Sequence, residues 1–88
     1  MNHYLVLSLH RDLKGMPQDI AYVETMVAYT AADVMLQWEL KYKDNSHRSI
    51  TAIYPWPPYK ELQECVYTHI REASPFYAQL VADLLDNK

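Results

Sequence analysis

Apolar side chains recur at every second position in two segments near the start of the chain, which is the period of a β-strand. Residues 3–10 predict one strand, with apolar residues on both of its sides, so we expect both faces to be at least partly covered. Its two sides carry Leu5, Leu7 and Leu9, and Tyr4, Val6 and Ser8. Residues 20–29 are rich in β-branched and aromatic residues and predict a second strand. The polar segment 11–19 holds the only glycine of the chain and predicts a loop joining the two strands as an antiparallel pair.

The join after the second strand has the pattern of a helix start. Thr30 can accept a hydrogen bond from the amide three residues on, and Asp33 can return one to the Thr30 amide. Aspartate is shorter than the glutamate usual at this position, but its charge also suits the first turn of a helix dipole. The pattern predicts a helix from Ala31 to about Tyr42. Its inner side would hold Ala31, Val34, Met35, Trp38 and Tyr42.

The second half of the chain predicts a strand, a proline-rich turn and two helices. Residues 49–54 predict a third strand with Ile50, Ala52 and Tyr54 on one face. The prolines of segment 54–59 exclude both a helix and a central strand there. The first helix runs from near Pro58 to about Glu72 and carries Leu62, Val66 and Ile70 at helical spacing. The second helix begins at Ser74-Pro75. It presents Phe76, Leu80 and Leu84, with Tyr77, Val81 and Leu85 beside them.

These elements follow one another in the order ββαβαα, which predicts the α+β class. We expect a three-stranded sheet with the helices packed mainly on one face. The strand–helix–strand unit 20–54 would be a right-handed crossover if its strands lie parallel in one sheet. With 88 residues and a mass of 10.4 kDa, the chain predicts a single domain, residues 1–88, with one modest core.

Composition and charge exclude several classes of function. The net charge is −3 and is spread evenly, so the chain has neither a basic tail nor the closely spaced carboxylates of a nucleic-acid mimic. The single cysteine, Cys65, cannot form an intramolecular disulfide. No stretch approaches the ~20 apolar residues that span a bilayer. These features predict a soluble protein of the reducing cytoplasm that does not act at a membrane.

Few residues offer catalytic chemistry. One glycine in the whole chain excludes phosphate-cradling loops. Cys65 and His69 are four residues apart on one helix face, with Glu61 one turn earlier, so they could bind zinc or form a nucleophile–base pair. Zinc would also need a distant fourth ligand from His3, His10 or His47, which nothing in the spacing requires, and no oxyanion site is visible. The alternative is that Cys65 packs beside Val66 and His69 is a partly exposed helix residue. We therefore expect a protein that is not an enzyme and needs neither metal nor cofactor.

A basic and aromatic region between Lys41 and Lys60 offers a nucleic-acid-binding alternative. It combines cations with tyrosine rings on which bases could stack. The residues are Lys41, Lys43, His47, Arg48 and Lys60, interleaved with Tyr42, Tyr54 and Tyr59. So few cations in a net acidic domain attract phosphates weakly, and lysines near a helix C-terminus also suit its dipole. Nucleic acid is therefore the alternative partner rather than the leading one.

The aromatic and proline content is the most unusual feature of the chain. Eight Tyr and two Trp are a high load for a small core, and a buried tyrosine hydroxyl needs a hydrogen-bond partner, so we expect an exposed aromatic patch. In segment 54–59 three prolines hold Trp56 between two tyrosines, and Pro55 and Pro58 have a PxxP spacing. The alternative is that Trp56 packs back onto the core. The candidate contacts are Tyr42, Tyr54, Trp56 and Tyr59, with Lys43 and Arg48 as charges at the rim.

The chain thus combines an apolar strand, His3 to Leu9, with the strand-to-helix join Val27-Ala28-Tyr29-Thr30-Ala31-Ala32-Asp33-Val34. This combination resembles the short strand–strand–helix proteins of phages and mobile elements, some of which are anti-CRISPR or host-takeover proteins. The resemblance implies a stoichiometric binder of a host or defence protein and assigns no functional residue. The leading prediction is a protein-binding module, a small inhibitor or adaptor, whose partner is another protein, with a homodimer as a further expectation.

Overall fold

The sheet is built around its first strand. The computed structural model describes residues 1–11, 20–44 and 47–86, so most of the predicted loop 11–19 lies outside the described residues. The elements are β1 (Asn2–His10), β2 (Ile20–Ala28), α1 (Ala31–Lys41), β3 (Arg48–Pro55), α2 (Lys60–Ala73), a 3₁₀ turn (Pro75–Tyr77) and α3 (Ala78–Asp86). The α+β class and the order ββαβαα are confirmed.

Strand β1 lies between the other two, in the order β2-β1-β3. Both neighbours pair with it antiparallel, so that Leu7 is opposite Val23 on one side and Ala52 on the other. The predicted antiparallel pairing of the first two strands is confirmed. Because β2 and β3 are both antiparallel to β1, they run parallel to each other, and α1 connects them across the central strand.

The alternating side chains of β1 enter two separate cores. Leu5 and Leu7 are fully buried on one face, where they cluster with side chains of α2 and α3. We call this cluster the α2 core. Val6 is fully buried on the other face, in a cluster with α1 that we call the α1 core. The remaining buried members are Trp56, Ile70, Tyr77 and Val81 in the α2 core, and Ala28, Val34 and Trp38 in the α1 core. Two of the three helices thus share one face of the sheet, α1 covers the other, and both faces of β1 are covered as expected.

A β-bulge changes the predicted face of β3. The register against β1 shifts between Leu7 and Ser8, whose β3 partners are Ala52 and Ile50, so Thr51 is the extra residue. Ala52 therefore packs with the α2 core, whereas Ile50 packs with the α1 core. The expectation that Ile50, Ala52 and Tyr54 share a face is wrong for Ile50, because a bulge reverses the alternation of side chains beyond it.

The helix starts follow the sequence signals with two adjustments. The hydroxyl of Thr30 accepts a hydrogen bond from the amide of Asp33 at 3.2 Å, as the capping pattern predicts. The Asp33 carboxylate makes no return bond among the described residues, consistent with its shorter side chain. Helix α2 begins at Lys60 rather than Pro58, with Tyr59 at its N-cap, and the segment after Ser74 begins as a 3₁₀ turn before α3.

The helices of the described part of the chain are too short or too polar to cross a bilayer.

Candidate functional site

An apolar groove opens at the end of the sheet where β1 begins. Its volume is about 860 Å³. One wall is the start of β1, the floor is the proline segment that follows β3, and the other wall is the first turns of α2. The lining residues are Met1, Asn2, His3, Tyr4, Pro55, Trp56, Pro57, Pro58, Leu62, Cys65 and Val66. Most of these side chains are apolar, so the groove suits hydrocarbon better than a charged or strongly polar group.

Hydrogen bonds fix the walls of the groove to one another. The amide of Trp56 donates to the carbonyl of His3 at 2.9 Å, which continues the attachment to β1 beyond the last pair of the ladder. The side-chain amide of Gln63 donates to the carbonyl of Pro57 at 2.7 Å, which ties α2 to the proline segment. Because proline also restricts its own φ angle, little conformational freedom remains here to be lost on binding.

Exposed apolar side chains stand in the groove and beside it, and among the lining residues Met1 is 73% exposed. Leu62 lines the groove and is 50% exposed, although it belongs to the same helical stripe as the buried Ile70. Tyr59 follows directly on the lining residue Pro58 and is 65% exposed. The stripe of α2 therefore begins in the groove and ends in the α2 core. Sequence reasoning placed Leu62 on the apolar stripe of this helix and did not identify it as a contact residue.

Trp56 lies in the core. Only 8% of its surface is exposed, and it packs in the α2 core with Leu5 and Leu7. Of the two interpretations of Trp56, packing back onto the core is the one observed: the prolines turn the chain back over the sheet and the ring joins the α2 core. The part of Trp56 that remains accessible forms the groove floor, and its contribution to binding stays a prediction.

Tyr54 is half-buried against the same α2 core. Its ring meets the ring of His69 edge-on, with the centroids 5.6 Å apart. Among the six predicted contacts, Tyr59 is thus the one aromatic residue that is largely exposed.

Arg48 is held within the molecule on the opposite face of the sheet. Its guanidinium carbon lies 4.0 Å from the ring centroids of both Tyr22 and Tyr42. Its Nε also donates to the hydroxyl of the buried Ser8 at 3.3 Å. A cation stacked between two rings is stabilised by both, so Arg48 fastens β3 to β2 and α1 rather than standing free at a rim.

An ion pair joins α1 to β2 beside this stack. Lys41 Nζ lies 2.8 Å from one carboxylate oxygen of Glu24, and the Tyr42 hydroxyl donates to the other at 3.0 Å. The hydrogen bond to Glu24 raises the pKa of Lys41 above its ordinary value. Lys41 is exposed and Glu24 is half-buried, so solvent screens the pair and it aligns the end of α1 more than it stabilises the fold.

The six predicted contact residues do not form one surface. Tyr42, Lys43 and Arg48 lie at the end of α1 and the start of β3, on the α1 side of the sheet. Tyr54 and Trp56 pack on the α2 side, and Tyr59 stands at the start of α2. The six residues therefore lie on two sides of the sheet, and their role as partner contacts stays a prediction.

The same contacts weaken the nucleic-acid alternative. Lys41 is paired with Glu24, and Arg48 is stacked between tyrosines, so neither presents a free cation to a phosphate. Tyr42 also has one face covered by Arg48, which reduces its surface for stacking on a base. Lys43 and Lys60 are exposed but belong to opposite sides of the sheet.

The residues considered for zinc or thiol chemistry, Cys65 and His69, have different surroundings. Cys65 is an exposed free cysteine at the groove, and the His69 ring is engaged with Tyr54. Within residues 1–11, 20–44 and 47–86, no three His, Cys, Asp or Glu side chains come together as a metal-binding group.

Comparison of the chain with protein-family models, with curated proteins and with solved structures finds no match.

Proposed function

We propose that this protein is a non-enzymatic protein-binding module, an inhibitor or adaptor that acts by stoichiometric binding through the groove at the start of α2. The single observation that carries the proposal is an apolar groove of about 860 Å³ whose floor and one wall are held by prolines and hydrogen bonds. Such a groove accepts apolar side chains of a partner and excludes water from them.

The chemistry of the lining favours a protein partner. An open apolar groove with few polar groups provides contact area but little of the directional hydrogen bonding that selects a small polar ligand. A fixed groove also avoids much of the ordering cost of association. The contact residues in this proposal are Leu62 and Tyr59 at the surface, with Trp56 beneath them.

The proposal extends to the location and the kind of partner. A single free cysteine in an exposed position is compatible with a reducing compartment, so we propose a cytoplasmic protein. The resemblance to phage and mobile-element proteins would make the partner a host or defence protein.

The test compares groove variants with a matched variant elsewhere. Leu62→Glu introduces a charge into the groove, and Tyr59→Ala removes its exposed ring. Phe76→Glu introduces the same charge at another exposed apolar residue, outside the groove. Each variant is first checked for an unchanged melting temperature and then used to capture proteins from an extract of the native cell.

We expect one protein that is retained by the wild type and by Phe76→Glu, and depleted at least about tenfold by both groove variants. Calorimetry with that protein, once purified, should give a fixed stoichiometry. If stably folded Leu62→Glu retains every protein that the wild type retains, the groove is not the binding surface and the proposal fails.

A further inference from the structure

The outer edge of β2 is an unprotected strand edge. Within the described part of the chain β2 has β1 on one side and no strand on the other. Over nine residues it contains no proline and no lysine, and its one charged side chain, Glu24, is bonded to α1. By contrast, the opposite edge strand β3 is bulged at Thr51 and ends at Pro55. Long, uncharged strand edges favour pairing with another strand.

Helix α1 is apolar on its outer side as well as its inner side. Val34 and Trp38 are buried beneath it, yet Leu36 is 60% exposed and Leu40 is 72% exposed. At about 3.6 residues per turn, Leu36 and Leu40 form one outer stripe. A helix that is apolar on both sides is usually covered on both sides.

Helix α1 and the β2 edge lie on the same side of the molecule. Lys41 and Tyr42 attach α1 to Glu24 of β2, whereas a gap of about 560 Å³ separates α1 from the start of β3. Helix α1 is therefore displaced towards β2. Around the axis of α1, Lys41 marks the side that faces β2. Leu40 lies between that side and the side that faces solvent.

We propose that two copies of this chain form a two-fold symmetric dimer, in which the β2 edges pair antiparallel and the α1 stripes pack against each other. The sheet would then continue through six strands with both α1 helices on one face. The same axis that makes the strands antiparallel also makes the helices antiparallel, so both unprotected features are covered by one arrangement.

The charges along α1 favour a second copy as the occupant. Antiparallel packing with Leu36 opposite Leu40 of the second copy brings Asp33, in the first turn, opposite Lys43 of the second copy, just past the last turn. Neither side chain has an ion pair within its own chain among the described residues. Opposed helix dipoles add to this complementarity. An unrelated extended peptide would cover the strand edge but would leave the leucines of α1 exposed.

Both features are needed to reach the size of a stable interface. A standard interface buries about 800 Å² on each partner. An 11-residue helix is only about 16 Å long and presents a narrow stripe. The nine-residue edge of β2, about 30 Å long, adds main-chain hydrogen bonds and the flanking side chains.

The test measures the oligomeric state of the full chain by sedimentation equilibrium. Thr25→Lys places a charge at an exposed position of the β2 edge, and Leu40→Glu places one on the α1 stripe. Ser49→Lys, on the β3 edge, and Leu62→Glu, in the groove, are the matched controls. Circular dichroism verifies that each variant is folded.

We expect the wild type and both controls to reach twice the 10.4 kDa chain mass, and Thr25→Lys and Leu40→Glu to dissociate at least about tenfold more readily. Hydrogen exchange of the wild type at two concentrations checks the result without any variant, since β2 amides should exchange more slowly in the dimer. A wild type that stays monomeric at ~1 mM, a dimer that survives both interface variants, or β2 exchange independent of concentration overturns the proposal. Because Leu62→Glu tests the groove and Leu40→Glu tests the dimer, either proposal can fail alone.

Discussion

At the scale of single residues, the aromatic side chains of this protein have different roles that depend on where their polar atoms can find partners. Tyr42 bonds Glu24 and covers Arg48, and Tyr77 reaches Thr51 from within the α2 core. Trp56 fills the same core, while Tyr59 is left exposed at the groove. Among the described residues the exposed rings are therefore dispersed, with Tyr59 beside the groove and Tyr29 and Phe76 on other elements.

The position of Trp56 predicts a separation between stability and binding. Trp56→Ala should lower the free energy of unfolding by about 3–5 kcal/mol, because it removes a large buried side chain and leaves a cavity. Leu62→Ala should lower it by less than about 1 kcal/mol, since that side chain is half exposed. Urea unfolding of the two variants checks this. Equal losses in both would mean that Leu62 belongs to the core and not to the groove surface.

Arg48 provides a second prediction, about its double stack. Arg48→Lys keeps the charge but loses the planar guanidinium and the bond to Ser8, so we expect the free energy of unfolding to fall by about 1–2 kcal/mol. Lys43→Met removes a charge without an ion pair and should change it by less than about 0.5 kcal/mol. Denaturant unfolding at neutral pH measures both. An Arg48→Lys variant as stable as the wild type would return Arg48 to the role of a surface charge.

At the scale of elements, periodicity and turn signals located the strands and helices of the described chain, with starts within about two residues except for α3, which begins at Ala78 after a 3₁₀ turn instead of at Pro75. They did not assign every face. The alternation of β1 and β2 survives because those strands are regular. The inner side predicted for α1 holds for Val34, Trp38 and Tyr42 and is wrong for Ala31 and Met35, which are exposed. In β3 the inserted Thr51 reverses the alternation, and no local residue signals it, because a bulge is defined by the register against β1. The stripe of α2 was recognised, but the sequence could not indicate that Leu62 extends past the core.

The bulge itself leads to a prediction about Thr51. Its hydroxyl is hydrogen-bonded to that of Tyr77 at 2.6 Å, which links β3 to the turn before α3. In a double-mutant cycle, Thr51→Val and Tyr77→Phe should show a coupling of about 1 kcal/mol. Thr68→Val, which removes a hydroxyl bonded only within α2, is the control and should not couple to Tyr77→Phe. Additive effects of Thr51→Val and Tyr77→Phe would show that the bond contributes nothing to the fold.

At the scale of the whole molecule, the groove and the β2 edge are separate surfaces that could be occupied together. Of the predicted contact residues, Trp56 lines the groove and Tyr59 stands beside it. The other wall comes from β1, which is distant in sequence and meets the proline segment through the Trp56–His3 hydrogen bond. A site assembled from segments so far apart is fixed by topology, and a single sequence does not specify it locally.

The distribution of charge predicts weak binding to nucleic acid. With Lys41 and Arg48 engaged internally, a fluorescent oligonucleotide should not bind more tightly than ~10 μM at physiological salt. Fluorescence anisotropy at two salt concentrations measures this. Tighter binding that weakens steeply as salt rises would make the Lys41–Lys60 region the functional surface after all.

The central position of β1 also bears on how the chain acquires its structure. This strand comes first in chain order, yet it has a neighbour on each side and a core on each face, and β3 and α2 follow much later in the chain. During synthesis its leucines and valine emerge long before the segments that cover them, and contacts between such distant segments form slowly. Until then the nascent chain exposes an apolar, aggregation-prone strand. The yield of soluble protein should therefore depend on the translation rate and on chaperones that bind this strand.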